Sequence, residues 1–110
     1  MERPLLVYTT FPDAETALSV GEDLVRSGLV ACVNVLPGMR SVYAWKGAIE
    51  RGNEAVAILK TRTGLKDAVG AALKARHPYA TPIILHLPVL DADPDTAAWI
   101  VSETQGPPAG

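Results

Sequence analysis

The alternation of apolar and polar positions divides the chain into short strands and helices with one apolar face. "PLLVYTTF", Pro4 to Phe11, is short and rich in β-branched and aromatic residues, which predicts a strand. Pro12-Asp13 punctuates it. Asp13 is placed to cap a helix, Glu15 sits where the helix dipole favours negative charge, and Gly28 is a natural stop. Ala14, Ala17, Leu18, Gly21, Leu24 and Val25 recur at three- and four-residue steps and give this helix its apolar face. "LVACVNVL", Leu29 to Leu36, predicts a second strand ended by Pro37-Gly38. The next segment carries turn signals at Lys46-Gly47 and Gly52-Asn53, and then alternates cleanly from Glu54 to Thr61. A long hairpin with one irregular arm fits it, with Lys60 on the same strand face as Glu54 and a candidate partner for it.

"TGLKDAVGAALKARH" returns to helical spacing through Leu65, Ala68, Val69, Ala72 and Leu73. It runs into the corner "RHPYATP", Arg76 to Pro82, where Pro78 pushes His77 out of helical space and ends the helix. "PIILHLPVL", Pro82 to Leu90, predicts a fourth strand, and "DADPDTAAWIVSE" a short last helix with a small apolar face. The order is β-α-β-β-α-β and a short C-terminal helix. It predicts the α+β class: a ferredoxin-like βαββαβ sandwich with an antiparallel four-stranded sheet, a long hairpin and both main helices on one face. One domain covers 1–104, and 105–110 reads as a flexible tail. The sheet face without helices would need water excluded from its apolar side chains, and association of several chains would do that.

Composition narrows the function classes. The 110 residues are 48% hydrophobic and 20% charged, as expected of a folded domain. Ten basic against twelve acidic residues, with no Lys/Arg cluster, give no footprint for nucleic acid. No apolar run approaches membrane-spanning length, and "MERPLLVYTTFPD" is too short in its apolar run for a signal peptide. A single cysteine, Cys32, excludes an internal disulfide and suits the cytoplasm.

Candidate chemistry is sparse. Gly-rich phosphate loops and supported Ser or Cys nucleophiles are absent from the sequence, and no catalytic activity is predicted. Cys32, His77 and His86 supply the thiol and imidazole donors, but their spacing does not make a zinc site within one chain. Cys32 reads as a small buried strand residue or as a soft ligand for copper across a subunit boundary. His77 either caps the last carbonyls of its helix or lines a cleft.

Several segments together resemble the CutA family of divalent-cation tolerance proteins: Ala31-Cys32-Val33-Asn34, Ser41-Val42-Tyr43, Trp45-Lys46-Gly47, Glu54, Lys60-Thr61 and His77-Pro78-Tyr79. The resemblance spans Leu5 to Ile100. It implies a ferredoxin-like homotrimer whose long hairpins reach between subunits, similar in plan to the trimeric PII signalling proteins. It also implies tolerance of divalent metal ions, copper above all, and no established reaction. Carried onto this chain, it makes Cys32 and His77 the metal candidates and copper the candidate ligand. Asn34, Tyr43, Trp45, Lys60 and Tyr79 become candidates for lining an inter-subunit cleft. A PII-like alternative would take a small anion there, with Lys60 and His77 as cationic contacts. The chain departs from the family at Ala80 and Ile83, where an acidic or amide residue and a glutamate are usual, and at Thr96, where a tyrosine is usual. Loss of the glutamate removes a hard oxygen ligand from the corner.

Overall fold

The computed structural model describes residues 2–106. Its elements are β1 (Pro4–Phe11), α1 (Ala14–Arg26), β2 (Cys32–Trp45), β3 (Ala48–Arg62), a 3-10 turn (Thr63–Leu65), α2 (Lys66–Arg76), β4 (Ile84–Pro88) and α3 (Pro94–Glu103). The sheet is antiparallel in the order β2-β3-β1-β4, the expected ferredoxin-like plan.

Strand alternation sorts the sheet into two faces. Leu5, Val7 and Phe11 of β1 and Ala57 and Leu59 of β3 are buried, and pack with Ala17, Val20 and Leu24 of α1 and Val69 and Leu73 of α2. Each fully buried large side chain contributes about 1.5–3 kcal/mol relative to leaving it in water. Asp13 caps α1 as expected, its Oδ1 accepting from the Thr16 N–H at 2.7 Å. The buried stripe of α1 runs through Ala17, Val20, Gly21 and Leu24; Leu18 and Val25, expected on it, are exposed. Gly21 lets α1 approach β2, because a Cβ there would clash with the Val33 side chain.

Neither α1 nor α2 packs on the opposite face; α3 meets the sheet at β3 and β1, where Arg62 holds Thr104. In register across it lie Leu6, Tyr8, Ile58, Lys60, Cys32, Asn34, Leu36, Leu85 and Leu87, and Leu36, Leu85 and Leu87 are exposed.

The hairpin is more regular than its turn signals suggest. β2 does not end at Pro37-Gly38 but continues to Trp45, and the register slips between Leu36, opposite Val56, and Met39, opposite Glu54. One extra residue on β2 makes this a bulge. Gly38, at φ 78°, absorbs the distortion, and Pro37 is tolerated because β2 is an edge strand. Gly52-Asn53 lies inside β3, paired with Ser41 and Arg40. The chain turns only at Lys46-Gly47, both at positive φ, the two-residue loop that matches strand twist.

β4 is shorter than expected, and Leu29 to Ala31 precede β2 rather than belong to it. α3 starts at Pro94 under an Asp93 cap and ends where Arg62 Nε donates to the Thr104 carbonyl at 3.0 Å. Of the tail, the Gly106 N–H donates to the Gly28 carbonyl, and 107–110 lie outside the described residues. No helix among the described residues is long and apolar enough to cross a membrane.

Candidate functional site

The site forms where the α2–β4 corner meets the base of the hairpin. Pro78 forces His77 into extended backbone, at φ −76° and ψ 135°, and the turn lays its imidazole on Phe11. The rings are stacked, with centroids 4.4 Å apart and planes 15° from parallel. β4 pairs with β1 only as far as Thr9, opposite Ile84, so Thr10 has no strand neighbour there. His77 supplies the missing donor, its Nε2 lying 2.7 Å from the Thr10 carbonyl oxygen and 3.3 Å from Thr9 Oγ1. The other ring nitrogen, Nδ1, accepts from the Tyr79 N–H at 3.1 Å. An accepting Nδ1 and a donating Nε2 define the neutral imidazole. Burial moves the His77 pKa down, opposed by the Thr10 carbonyl and the Glu54 charge.

Tyr79 carries the corner over to the open sheet face. Its ring is tilted against His77 at 5.0 Å, and its hydroxyl donates to Glu54 Oε2 at 3.0 Å. Ser41 Oγ donates to Glu54 Oε1 at 2.8 Å. The Tyr79 phenol is pushed up to about 12, chiefly by burial and then by the hydrogen bond to Glu54 and its negative charge. Opposite Glu54 in register stands Met39, whose Sδ accepts from the Tyr8 hydroxyl at 3.7 Å.

The bulge makes this meeting happen. Leu36 faces the open side, and unbroken alternation would next send Gly38, Arg40 and Val42 there. The extra residue inverts the parity, so Met39, Ser41, Tyr43 and Trp45 share the face of Glu54. The Tyr43 ring lies over Gly52, 3.9 Å from where a Cβ would stand. At the hairpin tip Lys46 Nζ sits 5.5 Å from the centre of the Trp45 ring. Together these surfaces enclose an open groove of about 870 Å³, lined by Met39, Ser41, Tyr43, Trp45, Glu54 and Tyr79 among others.

Of the cleft candidates, Tyr43, Trp45 and Tyr79 therefore meet at one groove. Asn34 and Lys60 share the open face but lie further along it, opposite Ile58 and Cys32. Lys60 is not the partner of Glu54, because their register rows are roughly 20 Å apart at about 3.3 Å per residue. His77 is wedged behind Tyr79 and does not line the groove, which leaves the two cationic contacts expected of a PII-like anion site outside it. The metal candidates are not brought together either. Cys32, half-buried, belongs to the Lys60 row and His77 to the Thr10–Val56 row, roughly 13 Å along the strands. Both His77 nitrogens are engaged, and the described residues hold no group of three or more His, Cys, Asp or Glu side chains that could hold a metal ion. A metal centre within one chain does not fit. Residue type alone did not mark Ser41 and Met39 as neighbours of Glu54, nor Tyr8 as the donor to Met39; the signal was the Pro37-Gly38 break inside an otherwise alternating run.

Over residues 5–103 the sequence matches the family described as "CutA1 divalent ion tolerance protein". It is 42% identical over 101 residues to the divalent-cation tolerance protein CutA of Pyrococcus horikoshii, covering 92% of this chain and 98% of that protein. Among solved structures it is similar to CutA1 from Ehrlichia chaffeensis, with a TM-score of 0.90, 33% identity, and 94% and 97% of the two chains covered. It is similar also to the periplasmic divalent cation tolerance protein CutA from Archaeoglobus fulgidus, at TM-score 0.89 and 32% identity, covering 93% and 99%.

Proposed function

The chain belongs to the CutA1 divalent ion tolerance family, and from that premise we propose that it serves divalent-cation tolerance as a cytoplasmic homotrimer that contacts copper. The observation that carries this reading is the end-to-end match, which leaves no unrelated domain between residues 5 and 103. The trimer is supported by the open sheet face, where Leu36, Leu85, Leu87 and Tyr43 are each about half exposed and no helix covers them. Burying such a face between copies removes apolar surface from water at about 25 cal/mol per Å².

Copper enters as the ion tolerated rather than as a resident cofactor. Its contact on this chain is the Cys32 thiol, a soft donor on the open face, with further ligands drawn from a neighbouring copy. Calorimetric titration of metal-free protein with copper tests the contact: Cys32→Ser should weaken binding, and equal binding by the variant removes it. Deleting the gene in its host tests the role. Lowered tolerance of copper or another divalent ion, restored by the wild-type gene, supports it, and unchanged tolerance across the series overturns it.

A further inference from the structure

The corner between α2 and β4 is held by side chains rather than by its backbone. Among the described residues, none of 78–82 takes part in a backbone–backbone hydrogen bond. The His77 ring ties the segment down through the Tyr79 N–H, and the Tyr79 hydroxyl ties it to Glu54 of β3. The same ring is anchored to β1 at the Thr10 carbonyl. Strand, corner and hairpin are therefore joined in series through one imidazole. These bonds are already made within the chain, so the linkage needs no open surface.

The series works in one protonation state only. A carbonyl can only accept and an amide N–H can only donate, so Thr10 and Tyr79 require a ring that donates from Nε2 and accepts at Nδ1. An imidazolium donates from both nitrogens. It would keep the Thr10 carbonyl but set its Nδ1–H against the Tyr79 N–H, two donors in a contact that now measures 3.1 Å. One side has to yield. The ring is bonded to Thr10 and stacked on Phe11, which is 1% exposed, whereas 78–82 have no backbone bonds to lose. The corner is the side that gives way.

The surrounding charges agree with that direction. Glu54 on β3 favours the imidazolium, and it is also the acceptor of the Tyr79 hydroxyl. Asp13, ahead of α1, and Tyr43 on β2 act on Tyr79 rather than on the ring. Arg76, next to His77 in α2, is turned towards Asp23 at 3.9 Å.

We propose that His77 is a proton-operated latch: the neutral ring locks the 78–82 corner and Tyr79 onto the base of the hairpin, and the imidazolium releases them. The release is local. The sheet and helices stay folded while the corner lets go, which separates the latch from acid unfolding of the whole chain.

The test follows the full-length protein by NMR from about pH 8 to about pH 4, the range in which histidine titrates. Proton–nitrogen correlation spectra of the histidine rings should show His77 as the Nε2–H tautomer at neutral pH. On acidification the ring should take up its proton below pH 6.5, and the Tyr79, Ser41 and Glu54 amide shifts should move with the same midpoint. Exchange of the Tyr79 amide, corrected for its intrinsic pH dependence, should rise about fivefold, as the loss of one hydrogen bond implies. His77→Phe keeps a stacked ring that cannot be protonated and should abolish the step, and His86→Gln should leave it unchanged. If His77→Phe fails to fold, the tautomer, the shared midpoint and His86→Gln still decide. An Nδ1–H tautomer, Tyr79 and hairpin amides indifferent to the His77 titration, or a step that survives His77→Phe would overturn the proposal. So would a ring that stays neutral until the whole chain unfolds.

Discussion

Replacing His77 with alanine removes three contacts at once: the Nε2–H bond to the Thr10 carbonyl, the Nδ1 acceptor for the Tyr79 N–H, and the stack on Phe11. Two backbone groups at about 1 kcal/mol each and a stack worth roughly 1 kcal/mol put the expected loss of unfolding free energy at about 3 kcal/mol. His77→Phe keeps the ring and its volume and gives up only the hydrogen bonds, so it should lose about 2 kcal/mol. Urea unfolding at a fixed protein concentration measures both, since assembly would otherwise shift the apparent stability. A histidine that merely caps helical carbonyls would cost much less. If alanine lay within about 0.5 kcal/mol of wild type, the range of ordinary surface substitutions, the corner would not be held by this ring. If His77→Phe folded normally and lost copper binding, His77 would be a ligand after all. The pH dependence has a definite sign. Burial holds the folded pKa below the usual 6.5, so the unfolded chain takes up the proton first as pH falls. The contribution of His77 is therefore full above pH 6.5 and fades below it, through the folded pKa, and His77→Phe should flatten that part of the profile.

The groove and the helix–sheet contact give further expectations. In an ultraviolet titration one tyrosine should ionise near pH 12, and Tyr79→Phe should remove that step; an unchanged titration would contradict the Glu54 contact. Gly21→Ala should cost about 1–2 kcal/mol from overpacking, despite the helix preference of alanine, and Val33→Ala in the same chain should recover much of it. Thermal unfolding of the pair measures the coupling, and additive losses would mean that the two residues do not touch. Gly28→Ala should also destabilise, by about 1–2 kcal/mol for the left-handed backbone alone, since Gly28 has φ 70° and a Cβ there would meet the Gly106 carbonyl. Stability equal to wild type in the same melt would refute it.

The fold was largely legible because its signals are local. Asp13, Gly28 and the apolar steps between them specify α1, and Pro78 ends α2 at His77. The hairpin was harder. Pro37-Gly38 and Gly52-Asn53 both look like turns, and only the cross-strand register shows that the first is a bulge on an edge strand and the second a paired segment. The same non-local fact hid most of the site. Tyr43, Trp45 and Tyr79 stood out as scarce aromatics, but the one-residue shift that brings Ser41 and Met39 to Glu54 depends on how β2 pairs. His77 was conspicuous for its chemistry, yet its role is set by the unpaired end of β1, which no local pattern reveals.

The proposed homotrimer would bury the open sheet face, where Leu36, Leu85 and Leu87 are exposed in the single chain. Sedimentation velocity at micromolar concentration, with Leu85→Asp as a paired sample, tests it most directly. The wild type should sediment as a single species of three 11.6 kDa chains and the variant should dissociate. A wild-type monomer at that concentration would contradict it, as would a trimer indifferent to the buried charge.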